Sequence, residues 1–370
     1  MILVDSTLTG YLCWQILTHQ EVLVLKWIKR LALVATAILL LALLTGFVYE
    51  QWGRRSVDRA FPPPGILVEV DDKLSHLYCS GEGSPTVILE AGINEGGSQT
   101  WEMVRPAIAP LSRVCAYDQA GIMWSERRER PRDAEHIVED LHALLTAAGE
   151  SPPYVMVGHS LGGLMIRVFA DHFSDEVVGF VFVDSSHPEQ NKRFPADILD
   201  IMAFPSPLLL RAISAFGVLR LESPASPGGL PQEVGETIRA HLPQSMIGIT
   251  DVIEAMDDIF SQAQHTGPFG DLPIVVLTAG QFLEQHPYQI DAATTARLQD
   301  VWSDIWPRLQ AELTGLSTNT DWRVIEGASH YIPLDAPEAI VAAVRDVVAA
   351  QREDTPVRHT DGPIIRQVWF

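Results

Sequence analysis

The segment Gly158-His-Ser-Leu-Gly-Gly163 sets a single serine, Ser160, between glycines. A β-branched run, Tyr154 to Val157, leads into it, and a helix-period apolar pattern at Leu161, Leu164 and Val168 leads away. A strand that turns sharply into a helix exposes the turn's hydroxyl at a helix N-terminus, where the dipole favours negative charge. Gly158 and Gly162 leave room that a β-carbon would fill. The chemistry this suits is nucleophilic attack by serine. A serine hydroxyl needs a base to take its proton, most often histidine. Of the 12 histidines, His330 has the fitting place, because "VIEGASHYIPLDAPEAI" sets it on a loop between the last strand pattern and the last helix pattern. His159 reads as a packing and hydrogen-bonding residue of the turn, and His187 and His265 lack a comparable setting.

These residues need a scaffold. From Ile66 onward, eight β-rich runs ("ILVEV", "LSHLYC", "TVILE", "RVCAY", "YVMVG", "GFVFVD", "PIVVL", "WRVIE") alternate with helix-period segments such as Ala134 to Ala148 and Pro337 to Ala350. That alternation predicts an α/β fold, a mostly parallel eight-stranded sheet flanked by helices. Between "GFVFVD" and "PIVVL" the chain is rich in proline and carries apolar helical pieces without strands. So long a structureless loop would be unusual, and a helical cap inserted at 185–272 is expected. The core then comprises 66–184 and 273–352, with a tail at 353–370.

Ahead of the core, Leu31 to Tyr49 contains no charged residue over about the 20 residues that a bilayer's hydrocarbon core requires. Trp27 and Trp52 flank it at interface positions and Lys26, Lys29 and Arg30 precede it, so a transmembrane helix is expected at 31–49, after an N-terminal segment at 1–30. Three arginines on the far side (Arg54, Arg55, Arg59) balance the three basic residues before it, which leaves orientation a tie. "RRSVDRAFPPPG" has the charge and prolines of a linker, placed at 50–65. Net charge is −21, and such a surface repels phosphate backbones, which excludes nucleic acid as a partner. No metal-ligand spacing and no phosphate-cradling glycine loop is present, so no cofactor is implied. Cys79 and Cys115 fall in strand-like runs and read either as buried thiols or as a disulfide.

With Ser160 and His330 so placed, the chain resembles the α/β-hydrolase fold family over roughly 62–350. The resemblance implies a third residue, an acid that orients the imidazole. Family members usually carry it after the seventh strand, but "PIVVLTAGQFLEQ" offers only Glu284 nearby. Some relatives take it from the end of the sixth strand, which here is Asp184. Asp184 is the first candidate and Glu284 the alternative, with Asp291 or a missing acid left open. The resemblance also implies an oxyanion hole from the backbone N–H groups of Leu161 and Ile93, the latter in "LEAGINEGG", where Glu90-Ala91 replaces the usual His-Gly. In "RVCAYDQAGIMWS", Gln119 and Met123 stand where relatives have arginine and glycine, so a different loop conformation is expected. Strands two and four are neighbours in the family's sheet, which brings Cys79 and Cys115 within bridging reach and implies a catalytic domain facing away from the cytoplasm.

The activity expected is that of a membrane-anchored serine hydrolase acting on an ester or related acyl bond of a small apolar substrate. Amidase chemistry and acyl transfer use the same machinery, and a ligand-binding homologue without turnover is the reading from another class. Dehalogenase and epoxide hydrolase chemistry is disfavoured, because those relatives carry aspartate at the position of Ser160.

Overall fold

The computed structural model describes residues 6–221, 229–281, 292–358 and 365–366. Among them, nine strands make one sheet: β1 (Ile66–Val70), β2 (Lys73–Ser80), β3 (Thr86–Glu90), β4 (Val114–Tyr117), β5 (Tyr154–His159), β6 (Val177–Val183), β7 (Ile274–Ala279), β8 (Thr320–Ile325) and β9 (Ile365–Arg366). Their order is β1-β2-β4-β3-β5-β6-β7-β8-β9. The six strands from β3 to β8 run parallel, while β1, β2 and the two-residue β9 join antiparallel at the edges. The eight strands marked by the sequence are present, and β9 adds to them.

The central strands are apolar throughout because both faces are covered. β3, β5 and β7 are buried at every position, as strands between two helical layers must be. One face packs against α2 (Ala134–Ala148) and α3 (Gly162–His172). Asp133 caps α2 by accepting from the His136 N–H, and Gly149 ends it in a left-handed conformation, the signals that start and stop a helix. The other face packs against the last long helix, Pro337–Glu353, through Ile340, Val344, Val347 and Val348.

Two boundaries differ from the sequence reading. The N-terminal helix, α1, is continuous from Ser6 to Ala60, so 50–60 is helical and only 61–65 remains of the expected linker. No proline interrupts this stretch before Pro62, an i,i+4 ion pair links Glu50 to Arg54 at 2.8 Å, and Gly53 and Val57 are buried. Packing therefore extends the helix beyond its apolar block.

The lobe over the sheet also differs from a simple 185–272 insertion. Its helices Ala196–Met202, Pro207–Ala215 and Gln232–Glu254 lie within that range. The next helix, Met256–Ala263, instead joins the core through Ile259, Phe260 and Ala263, in one cluster with α2 and α3. In exchange, the excursion between β7 and β8 contributes helices Ala292–Asp300 and Trp306–Leu313 to the lobe. Phe194 and Ile198 pack there against Leu298, Val301, Trp306 and Leu309. Apolar surface decides both exchanges, since each helix buries its stripe wherever a complementary face exists.

Candidate active site

β5 ends in a turn whose Ser160 has φ +54°, a left-handed conformation uncommon for a residue with a side chain. The glycines around it are required by close approach. A β-carbon on Gly158 would stand 2.7 Å from the Gly162 oxygen, and one on Gly162 would stand 2.6 Å from the Glu90 oxygen. One on Gly163 would collide with the Ser185 side chain. The turn is tied to β6 by the Ser160 N–H on the Val183 oxygen (3.2 Å) and by the Ser186 N–H on the Ser160 oxygen (2.8 Å).

The structure brings Ser160, His330 and Asp184 together. His330 Nε2 lies 3.0 Å from Ser160 Oγ, and its Nδ1 lies 2.6 Å from Asp184 Oδ2. In the arrangement that leaves the base free, the serine hydroxyl donates to Nε2 while Nδ1–H donates to the carboxylate. Asp184 is wholly buried. Its other oxygen, Oδ1, accepts from the Ala279 N–H at 2.9 Å and from Trp306 Nε1–H at 2.8 Å, so a buried charge is compensated by three donors. β7 thus ends in a backbone donor to this acid. The other two acid candidates, Glu284 and Asp291, lie outside the described residues.

The His330 loop is held from both ends. Ser329 donates through N–H (2.8 Å) and Oγ–H (2.5 Å) to Asp335 Oδ2, and His159 Nε2–H donates to the His330 carbonyl at 2.8 Å. Burial, the main cause, with the nearby His330 adding to it, lowers the His159 pKa to about 3. It therefore stays neutral, a fixed strut under the base.

Gly92 lies against the nucleophile: a β-carbon on it would be 2.7 Å from Ser160 Cβ and 3.3 Å from Oγ. This sets Gly92 beside the serine, and Gly92, Ile93 and Leu161, the residue that precedes α3, line one pocket. Asn94 Oδ1 pins the loop that follows by accepting from the N–H groups of Gly96 and Gly97, both at 2.9 Å, and from Thr100 Oγ at 2.8 Å. Ile93, Leu161, Met165, Ile249 and Val252 give the adjoining pocket apolar walls, and Glu90, Tyr117 and Gln119 form its polar end. Glu90 is buried and accepts from the Tyr117 hydroxyl and from Gln119 Nε2 (2.8 Å). Loss of solvent raises its pKa to about 7, against the lowering effect of those hydrogen bonds.

Met123 lies in the loop that follows β4. Its φ is +44°, and Ser245 Oγ accepts from its N–H at 2.9 Å. Cys79 and Cys115 face each other across the antiparallel β2–β4 pair and form a disulfide with Cα atoms 4.0 Å apart. Sequence reasoning missed Trp306, Ala279 and the pocket role of Glu90. Only Glu90 left a signal, a carboxylate ending an otherwise apolar strand.

Residues 87–343 match the family model described as the alpha/beta hydrolase family. An uncharacterized protein of Schizosaccharomyces pombe is 25% identical over 337 residues, covering 80% of this chain and 58% of that protein. The uncharacterized protein YqjL of Bacillus subtilis is 24% identical over 272 residues, covering 73% of this chain and 86% of its own. The chain thus spans little more than half the length of the yeast relative. Among solved structures, the epoxide hydrolase CorEH without ligand superposes with a TM-score of 0.58 at 19% identity, over 77% of this chain and 98% of its own. At that identity the likeness is one of fold.

Proposed function

The chain belongs to the alpha/beta hydrolase family, and on that premise we propose that it is a membrane-anchored serine hydrolase cleaving an ester or related acyl bond of a small apolar substrate. The observation that carries this is the continuous relay from Ser160 Oγ through the His330 imidazole to Asp184, at 3.0 and 2.6 Å. Ser160 attacks the acyl carbon while His330 takes its proton, and Asp184 stabilises the imidazolium without itself being protonated. The N–H groups of Leu161 and Ile93 receive the oxyanion, a contribution of about 3 kcal/mol per donor in such sites. The tetrahedral intermediate collapses as His330 returns the proton to the leaving alcohol. Water, deprotonated by the same imidazole, then releases the acid from the acyl-enzyme. The apolar pocket walls suit an apolar acyl or alcohol group.

α1 serves as the anchor in this proposal. The helix from Leu25 to Ala60 has a mean hydropathy of 2.6 over its most apolar window, with none of that window buried. The Cys79–Cys115 disulfide supports a catalytic domain on the oxidising, extracytoplasmic side.

A panel of p-nitrophenyl esters of graded chain length tests the activity. Wild type is expected to turn over esters with a preference for longer chains, and Ser160→Ala to lose at least ~10⁴-fold in kcat with an unchanged circular dichroism spectrum. Equal rates in the two proteins would refute the proposal.

A further inference from the structure

The end of α1 is clamped to the cap. A β-carbon on Gly46 would collide with the Phe216 carbonyl and one on Gly53 with the Arg220 side chain, while one on Gly217 would lie 3.1 Å from the Gly46 oxygen. Between these contacts Glu50, fully buried, accepts from Arg220 Nε at 2.9 Å and Nη2 at 3.1 Å, and from Arg54 at 2.8 Å. Gly46 lies inside the uncharged block 31–49, three residues from its end, which at 1.5 Å per residue is about 5 Å of depth. The Phe216–Gly217 corner of the cap shares whatever depth Gly46 has.

The same part of the cap exposes large apolar side chains. Leu208 is 78% exposed and Leu221 72%, and Phe204, Leu209 and Val218 are exposed as well. The two charged residues between Met202 and Leu221 are both neutralised, Arg211 by Asp251 and Glu254 and Arg220 by Glu50. A stretch with this many exposed large apolar side chains, whose own two charges are both paired, is unusual on a surface in water. Helix Gln232–Glu254, which contacts both α1 and helix Pro207–Ala215, also supplies Ile249 and Val252 to the pocket beside Ser160.

We propose that helix Pro207–Ala215 and the corner after it rest in the bilayer interface beside α1, so that the pocket takes an acylated membrane amphiphile from the lipid. The proposal rests on α1 as the anchor and on the serine hydrolase reading. The continuity of the apolar face with the anchor selects lipid as its occupant, because a surface clamped to a membrane-embedded turn meets the bilayer first.

The test uses the full chain in phosphatidylcholine–phosphatidylglycerol vesicles, with Cys13→Ser as background. A fluorophore is placed at Leu208→Cys, at Leu40→Cys in the anchor and at Asp354→Cys, exposed at the end of helix Pro337–Glu353, and lipids spin-labelled near the headgroup, for Leu208, and at mid-chain, for Leu40, are added. The expected result is quenching at Leu208 and Leu40 and none at Asp354. Quenching at Leu40 without Leu208 overturns the proposal and leaves the anchor standing. No quenching at either overturns both. Concentration-dependent shielding of Leu208 from aqueous iodide, without lipid quenching, assigns the face to a second copy and likewise overturns it. For the substrate, a Leu208→Glu, Leu209→Glu variant is expected to lose about tenfold in rate on a vesicle-embedded long-chain ester while staying within about twofold on soluble p-nitrophenyl acetate. Equal effects on both esters overturn the delivery claim, whereas wild type inert on both would indict the hydrolase reading, with the quenching result still valid.

Discussion

The shelf that carries Ser160, Asp184 and His330 and the lobe above it are held together by different means. On the shelf, strand ends and backbone groups make most of the ties: the Ala279 N–H on Asp184, the Ser160 N–H on the Val183 oxygen, and the His159 ring N–H on the His330 carbonyl, with the Trp306 side chain as a further donor to Asp184. In the lobe, long side chains make the ties, with Arg211 and Arg127 both on Asp251 and Arg220 on Glu50. Backbone-set geometry is the kind that can hold reacting groups to the tolerance chemistry demands. Side-chain ties hold a cover in place while allowing it to shift, as access to a pocket requires. Under the proposed hydrolase function, the contrast assigns rate to the shelf and substrate choice to the lobe.

Substitutions can break that division. Asp184→Asn, which keeps the shape but loses the charge that orients His330, is expected to lower kcat by about 10³- to 10⁴-fold, read by steady-state kinetics on a soluble ester. Next in size is an effect of pH. Glu90 titrates near 7 in the folded chain against 4.5 when unperturbed. Between these values the folded chain keeps a proton that the unfolded chain has released. Its stabilising contribution is full below pH 4.5 and is lost as pH rises towards 7, a change on the order of 3 kcal/mol. His159 has the opposite sign, with a contribution lost as pH falls from 6.5 towards its folded value of about 3. Because His159 is common to both proteins, the difference in denaturation midpoint between wild type and Glu90→Gln across pH 4.5–8 isolates Glu90. The variant is expected to gain on wild type as pH rises.

Trp306→Phe sharpens the comparison, since it removes from the lobe's second excursion one donor to a shelf residue. It is expected to reduce kcat about tenfold with KM little changed, because a hydrogen bond to a charged group is lost. Arg220→Ala, which cuts the tie between lobe and α1 away from the shelf and leaves buried Glu50 with Arg54 alone, is expected to lower stability but to alter kcat/KM on a soluble ester by less than about threefold. A large loss there would show that the lobe sets the shelf's geometry.

Much of this architecture could be read from residue patterns. The strands are apolar because both of their faces are covered, and the Gly158–Gly163 turn announces itself by the collisions any larger residue would suffer. The acid stayed open at the sequence level because its surroundings depend on partners distant along the chain. Ala279 and Trp306 reach Asp184 from 95 and 122 residues away, and neither type at its position suggests that role. The helical course of 50–60 was hidden for a similar reason. Its arginines and glycine have the composition of a linker, and Gly53 becomes intelligible only once Arg220 packs against it. The transfer of Met256–Ala263 to the core and of Trp306–Leu313 to the lobe follows from complementary apolar faces, which periodicity within one helix cannot reveal.

The most direct test of the relay is reaction with a fluorophosphonate, which bonds only to a serine whose proton is being removed, followed by mass spectrometry of the digested chain. One adduct on the peptide bearing Ser160, absent from the His330→Ala variant, is the predicted result. A folded wild-type protein that takes up no probe, or an adduct that persists at full rate without His330, would contradict it.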